Sequence, residues 1–116
     1  MSTYIKDMGL FTISNGATAS NIIQGFEDAE CVYIWSMQSG AYTGTITVSV
    51  VSTDSTATGT SNSRADLTSG GSDVTIAAGN SVPITDTCFR GLMVYSSGAE
   101  AVDRQFRVLA RFRVGR

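Results

Sequence analysis

Histidine is absent from the sequence, and its absence removes the commonest general base and the commonest metal ligand of proteins. A Ser-His-Asp or Cys-His catalytic arrangement is therefore excluded. The ten acidic residues lie mostly in predicted turns, and no pair of them stands out as a glycosidase site. The glycine-rich turn at residues 69–72 is not followed by a lysine or a helix, so it is not a phosphate-binding loop. The sequence predicts a chain that is not an enzyme and binds no cofactor.

Cysteine and proline are also scarce. The two cysteines, Cys31 and Cys88, are enough for one disulfide, but two buried free thiols are the preferred interpretation. They lie far apart in the sequence without local partners, so no zinc site is predicted. Pro83 is the single proline, and it lies in a predicted strand at residues 81–84, which it marks as an edge strand.

Long apolar runs and a strong net charge are missing as well. No run of about 18 apolar residues occurs, and residues 1–10 lack the basic start and apolar run of a secretion signal. The net charge is −2, whereas a nucleic-acid-binding domain is expected to be strongly basic. The sequence therefore predicts neither a signal peptide nor a membrane helix, and neither a membrane nor a nucleic acid as a partner.

The sequence does contain a series of short strand signals separated by turn residues. The clearest lies at residues 43–51, where apolar and hydroxyl side chains alternate strictly. The apolar residues Ile46, Val48 and Val50 are expected to face the core. The hydroxyl residues Thr45, Thr47 and Ser49 are expected to face outward. Strand signals recur about every 8–12 residues, without a helical period or an internal repeat. The sequence predicts an all-β fold, a single-domain antiparallel β-sandwich or jelly roll of about seven to eight short strands.

The predicted sandwich covers residues 10–116, and residues 1–9 are either an N-terminal arm or the first strand. Residues 52–63 are rich in serine and threonine and too poor in apolar residues to pack, so they are predicted to be a flexible loop. Residues 74–76 and 81–84 flank a turn and are predicted to form a hairpin.

One predicted strand, residues 31–37, is apolar on both faces, which is typical of a central strand covered on both sides. Its Tyr33, Trp35 and Met37 are therefore expected to pack in the core rather than to form a platform for a sugar. Tyr42, which lies among glycine and threonine, is the better candidate for an exposed aromatic residue.

The strongest charge feature is basic, because five of the eight cationic residues lie near the C-terminal end. Three of them share one face of the last predicted strand. Arg107, Arg111 and Arg113 either dock on an acidic protein surface or keep a solvated edge strand from aggregating. Tyr4 and Ile5 are candidate anchors of the N-terminal arm on a neighbouring subunit.

An acidic run, Glu27, Asp28 and Glu30, is the second charge feature. It lacks the alternating ligands and the glycine of a calcium loop, so a solvated loop is predicted and no metal-binding residue is assigned. It is also a candidate acidic partner face, because an acidic patch opposite a basic one suits head-to-tail or cyclic self-association.

Five segments carry a resemblance to a known family. They are FTISNGATASN at residues 11–21, TGTITVSV at 43–50, LTSGGSDVTIAAG at 67–79, FRGLMV at 89–94 and SSGAEA at 96–101. Together they resemble small virion-associated proteins of tailed bacteriophages. The resemblance covers most of the chain, but its motifs are turns and strands, and no catalytic residue carries over.

The resemblance implies a structural role in the virion. By its size and all-β build the chain also resembles capsid decoration (cement) proteins, which clamp the shell from outside as dimers or trimers. This implies the major capsid protein and other copies of the chain as partners, synthesis in the host cytoplasm and a final place on the capsid surface. A head-fibre or tail-associated structural protein is the alternative, and a carbohydrate-binding module is a further one.

Overall fold

The computed structural model describes residues 2–37, 40–51, 64–85, 87 and 89–114. All regular secondary structure in these ranges is β-strand. The strands are β1 (Thr3–Ile13), β2 (Ile23–Gln24), β3 (Ala29–Ser36), β4 (Ile46–Val51), β5 (Arg64–Asp66), β6 (Thr68–Ser69), β7 (Ser72–Asp73), β8 (Thr75–Ile76), β9 (Ser81–Ile84), β10 (Gly91–Ser96) and β11 (Arg104–Arg113). In the described part of the chain there is no helix of the length and hydropathy needed to cross a membrane.

The strands form two larger antiparallel sheets and one small hairpin. The four-stranded sheet has the order β1-β11-β3-β9, and the five-stranded sheet has the order β2-β10-β4-β5 with β8 paired to β4. Strands β6 and β7 pair only with each other. The all-β antiparallel prediction is confirmed. The strands within the described ranges outnumber the predicted seven or eight, because several of them are only two residues long and carry no periodic signal.

The core lies between the two larger sheets, as in a β-sandwich. The four-stranded sheet contributes residues such as Phe106 and Ile34, and the five-stranded sheet contributes Val48 and Leu92, all of them with no exposed surface. Complete burial of an aliphatic or aromatic side chain stabilises the fold by roughly 1.5–3 kcal/mol, so this layer is the main source of stability.

Strand β11 has the predicted alternation. Phe106, Val108 and Ala110 point into the core, while Arg107 and Arg111 lie on the opposite face. However, β11 pairs with β1 on one side and with β3 on the other. The arginines therefore lie on a central strand, and the interpretation that they protect a solvated edge is wrong.

Strand β3 is central in its sheet, but only one of its faces is covered. Val32 and Ile34 are fully buried, whereas the opposite face is open to solvent. The expectation of a strand covered on both sides is wrong. No third layer of described residues lies over this sheet, so apolar side chains on that side stay in water.

Strands β8 and β9 do not form the predicted hairpin. Strand β8 pairs with β4 in the five-stranded sheet, and β9 pairs with β3 in the four-stranded sheet. The connection between them therefore crosses from one sheet to the other. Pro83 does lie in an edge strand, because β9 ends the four-stranded order.

Strand β4 is covered more completely than its alternation predicts. Thr47 and Ser49 are buried instead of exposed. Val51 and Met93 form a second buried cluster, and residues 19 and 22 pack against it. The five-stranded sheet is therefore shielded on part of its outer side too.

Strand β1 begins at Thr3, earlier than the apolar signal at residues 10–13. Residues 3–7 pair with β11 in register, and the register shifts between Asp7 and Gly9. Gly9 has a φ of 111°, which suits glycine at such a bulge. Residues 3–9, predicted as an arm or a first strand, are part of this strand. The predicted loop at residues 52–63 lies outside the described residues.

Candidate functional site

The outer face of the four-stranded sheet is unusually apolar. It is defined here by Ile5 on β1, by Leu109, Arg107 and Arg111 on β11, and by Tyr33, Trp35 and the adjoining Met37 along β3. Tyr33, Trp35 and Met37 are 45%, 54% and 51% exposed, and Ile5 is 64% exposed. The prediction that the three β3 side chains pack in the core is therefore wrong.

The strand register determines which side chains adjoin on this outer face. Leu109 lies opposite Tyr33 and Arg107 lies opposite Trp35. On the other side of β11, Ile5 lies opposite Arg111. Directly opposed residues of antiparallel strands are about 4.5–5.5 Å apart at Cβ, so apolar and cationic groups are interleaved across the sheet.

A shallow depression lies where these rows meet. It has a volume of about 70 Å³ and is lined by Ile5, Tyr33, Leu109, Ala110 and Arg111. Its walls are apolar, and its single charged lining residue is Arg111.

The three arginines predicted for docking have different surroundings. Arg107 forms an ion pair of 2.8 Å with Asp7, and Arg113 forms one of 2.7 Å with Glu30. Arg111 is exposed and forms no ion pair or hydrogen bond with any residue in the described ranges. The sequence could not separate these cases, because the strand pairing decides which acid reaches which arginine.

The acidic run does not form a separate face opposite the arginines. Glu30 pairs with Arg113, and Glu27 pairs with Arg90 at 3.1 Å. Asp28 lines an open cleft at the end of the sandwich. The structure therefore brings part of the acidic run and part of the basic strand together within one chain.

Tyr4 and Ile5 lie on opposite sides of β1. The Tyr4 ring stacks on Phe112 with centroids 5.6 Å apart, and both line the end cleft of about 450 Å³ together with Lys6 and Asp28. Of the two predicted anchors, Ile5 belongs to the outer face and Tyr4 does not.

A buried polar network that the sequence did not reveal holds the loop before β4. The Glu100 carboxylate accepts hydrogen bonds from the backbone N–H groups of Thr43 and Gly44 at 3.0 and 2.9 Å. It also accepts from Ser96 Oγ at 2.6 Å and from Arg104 Nε at 2.7 Å. Four donors around one carboxylate leave it fully satisfied, so it is a structural group rather than a free acid.

The electrostatics of Glu100 follow from these contacts. Burial on its own raises the pKa of a carboxyl group, but the hydrogen bonds from Ser96, Thr43, Arg104 and Gly44 outweigh it and lower the pKa of Glu100 to about 2. The group stays ionised near neutral pH. The only sequence signal is the spacing of four residues between Glu100 and Arg104, which many exposed pairs share.

Tyr42 belongs to the same network and is not an exposed platform. Its hydroxyl hydrogen-bonds with Ser36 Oγ, its ring lies 5.7 Å from that of Phe106, and the Arg104 guanidinium lies 5.4 Å from its centroid. Burial raises the pKa of Tyr42, partly offset by the Ser36 hydrogen bond. The prediction of an exposed Tyr42 is wrong.

Gly44 shows how closely this loop is packed. A Cβ atom there would lie 2.4 Å from Ser96 Oγ and 2.6 Å from the backbone nitrogen of Gly98. Only glycine fits this contact without a shift of backbone.

Within the described ranges, no three Cys, Asp or Glu side chains converge in a way that would hold a metal ion. Cys31 is a half-buried free cysteine, and Cys88 lies outside the described residues. The arrangement with the most binding chemistry is the outer face, which offers apolar contact, aromatic rings and a guanidinium.

No model of a known protein family matches the chain, and no curated protein matches its sequence. Solved structures similar to the chain include a protein of Bacillus endospore appendages, described as disulfide-linked pili. It has 17% sequence identity and a TM-score of 0.52, with 98% of this chain and 90% of that chain covered. A mitogen derived from Yersinia pseudotuberculosis has 11% identity and a TM-score of 0.43, with 99% and 87% covered. The likeness to the appendage protein shows a shared all-β fold.

Proposed function

We propose that the chain is a structural protein that docks on another protein through its outer face, and that its partner is the outside of a phage capsid shell. In this role it is a decoration protein without catalytic activity. The observation that carries the proposal is the row of exposed apolar side chains, Tyr33, Trp35 and Met37, on a sheet face where polar residues are expected.

The composition of this outer face supports a protein partner. Tyrosine, tryptophan, methionine and arginine are the residue types enriched at protein interfaces, and the first two together with arginine dominate binding energy. Trp35 and Arg107 are cross-strand neighbours, as are Ile5 and Arg111. An open sheet face of this kind suits a shell surface better than it suits a small molecule, which binds in a cleft.

Self-association as a dimer or trimer on the shell is part of the proposal. The appendage protein with a similar fold is described as forming pili, so an assembly role is known for one protein of this architecture. A head-fibre or tail-associated role remains the alternative within the virion.

The first test measures the copy number of the protein in purified virions against the major capsid protein by gel densitometry. A ratio of one to one, or a simple fraction of it, supports decoration of the shell. A few to a few dozen copies transfers the assignment to a fibre or the tail. Absence from the virion overturns the proposal.

A second test addresses the outer face directly with shells that lack the protein. Trp35→Asp is expected to weaken binding to the shells at least tenfold, because a central aromatic contact is replaced by a charge. Val102→Asp is the matched control, since Val102 is 49% exposed but lies in the loop before β11. Equal binding of the two variants contradicts docking through the outer face.

A carbohydrate-binding module is the second candidate, and one observation favours it. The rings of Tyr33 and Trp35 are exposed at alternate positions of β3, and the hydrogen-bonded pair Arg107–Asp7 lies beside them. Exposed rings with adjoining planar polar groups can stack on a sugar and bond its hydroxyls. Binding on a glycan array that is lost in Trp35→Ala, without binding to shells, would favour this candidate over decoration.

A further inference from the structure

We propose that Arg111 and the apolar depression beside it form the specific anchor of the outer face, and that they bind a carboxylate flanked by an aliphatic side chain on the partner protein. The inference rests on the proposed function for the identity of the partner.

Arg111 differs from its two neighbours on β11 in its charge balance. Of the three predicted docking arginines, Arg107 and Arg113 are neutralised by Asp7 and Glu30. Arg111 lies between them on the same strand, and its cross-strand neighbours are Ile5 and Cys31, which carry no acid. Its guanidinium is therefore the group of this strand face that is left to bind an external anion.

The depression near Arg111 has the size of a small aliphatic group. The depression of about 70 Å³ is lined by Ile5, Tyr33, Leu109 and Arg111 and by Ala110 between the last two. A volume of this order accommodates a few methyl groups, since a water molecule occupies about 30 Å³ of liquid. The site thus offers one small apolar recess that the Arg111 side chain helps to line.

An arginine next to an apolar recess suits a carboxylate that has an aliphatic group beside it. A guanidinium binds a carboxylate through two parallel hydrogen bonds, and a neighbouring apolar contact shields them from water. A second copy that presented the same face would oppose one uncompensated positive charge with another, which is unfavourable. Charge complementarity therefore disfavours the same face of a second copy and favours an acidic and aliphatic surface, which the proposed function places on the partner protein.

The test uses 4-methylpentanoate, which carries an isobutyl group and a carboxylate, as the probe in amide NMR titrations of the whole chain. Saturable shifts are expected at residues 5, 33 and 109–111. The neutral analogue 4-methylpentanamide is expected to bind at least fivefold more weakly. Arg111→Gln should abolish the preference for the acid, whereas Arg90→Gln should retain it, because Arg90 is an exposed arginine paired with Glu27 elsewhere.

Absence of saturable shifts, equal binding of acid and amide, or an unchanged preference in Arg111→Gln overturns the inference. Binding to shells distinguishes failure of the proposed function from failure of the anchor inference. If the probe binds at Arg111 but Arg111→Gln binds shells as the unmodified chain does, the site stands and its role on the shell is wrong. If Trp35→Asp loses shell binding while the probe never binds, docking stands and the anchor is wrong.

Discussion

Glu100 and Arg104 form an ion pair whose side chains are 0% and 8% exposed. Transfer of two charges into the interior costs several kcal/mol per ion, and attraction alone seldom repays it. Here the backbone N–H groups of Thr43 and Gly44 and the hydroxyl of Ser96 supply the remaining hydrogen bonds. The pair is therefore costly to break, even though a well-packed apolar replacement of both partners could be tolerated.

Glu100→Gln is expected to destabilise the fold by about 3–5 kcal/mol, because it removes the charge of the buried carboxylate that pairs with Arg104. Urea unfolding followed by tryptophan fluorescence measures the loss. Glu27→Gln is the control, since its pair with Arg90 is half exposed and should contribute about 1 kcal/mol or less. A loss of less than about 1 kcal/mol for Glu100→Gln contradicts the structural role of the network.

The same carboxylate makes stability depend on pH in the acid range. The pKa of Glu100 is about 2 in the folded chain against an ordinary value of 4.5, so the folded state favours the ionised form. Its contribution is complete above pH 4.5 and is lost as the pH falls towards 2. The difference between the two pKa values corresponds to roughly 3 kcal/mol. Unfolding free energies measured between pH 7 and pH 2 should show this decline, and Glu100→Gln should show a shallower one.

At the residue scale the sequence predicted some features of the site and missed others. The alternation of β11 identified Arg111 as a residue that points away from the core, because successive side chains of a strand point to opposite faces. The partners of Arg107 and Arg113 lie on β1 and on β3, which are distant from β11 in the sequence. Glu100 lies outside any strand, so no periodicity indicated its burial.

At the scale of elements, β3 shows the limit of hydropathy patterns. A run that is apolar on both faces is typical of a buried strand in a soluble domain. The same run also arises when one face packs in the core and the other is reserved for a partner. The sequence cannot distinguish a covering layer supplied by its own chain from one supplied by another molecule.

Ile34 and Trp35 are neighbours on β3 and allow its buried face to be compared with its exposed face. Ile34→Ala should destabilise the fold by about 2–5 kcal/mol, because Ile34 has no exposed surface and its removal leaves a cavity. Trp35→Ala, one position further on, should change stability by less than about 1 kcal/mol, because that side chain is 54% exposed. Chemical unfolding measures the free energy of unfolding of both variants. A loss of more than about 1 kcal/mol for Trp35→Ala would mean that the outer face is covered in solution.

The strand order shows a related limit. Residues 74–76 and 81–84 have the spacing of a hairpin, yet they enter different sheets. Local turn chemistry predicts where the chain bends but not which sheet receives the next strand. That choice is made by β3 and β4, which pair with β9 and β8 from a distance in the sequence.

At the scale of the whole molecule, the first and last strands lie side by side at one edge of the four-stranded sheet. β1 pairs with β11 along nearly its full length, from Thr3 opposite Arg113 to Ile13 opposite Arg104. The backbone N–H of Val114 also donates to the carbonyl of Ser2 at 2.9 Å. Residues 2 and 114 are therefore direct neighbours.

This proximity predicts that a circular permutant folds. A short glycine-serine linker would join the two ends, and new ends would be opened between Gly70 and Gly71, which are exposed in the β6–β7 turn. The stability should fall by no more than about 2 kcal/mol, because the linker spans a short distance and the new ends disturb no core contact. Circular dichroism and urea unfolding measure the result. A permutant opened between Val108 and Leu109 should not fold, since it interrupts β11.

The pairing of β1 with β11 also has a mechanical consequence. The two strands are antiparallel, and Ser2 and Val114 lie at the same end of the pair. Tension applied between those residues therefore separates the strands from that end, one hydrogen bond after another. Each hydrogen bond then bears the load in turn instead of sharing it with its neighbours, and the sheet opens at low force. A domain built in this way is weak as a link in a stretched chain.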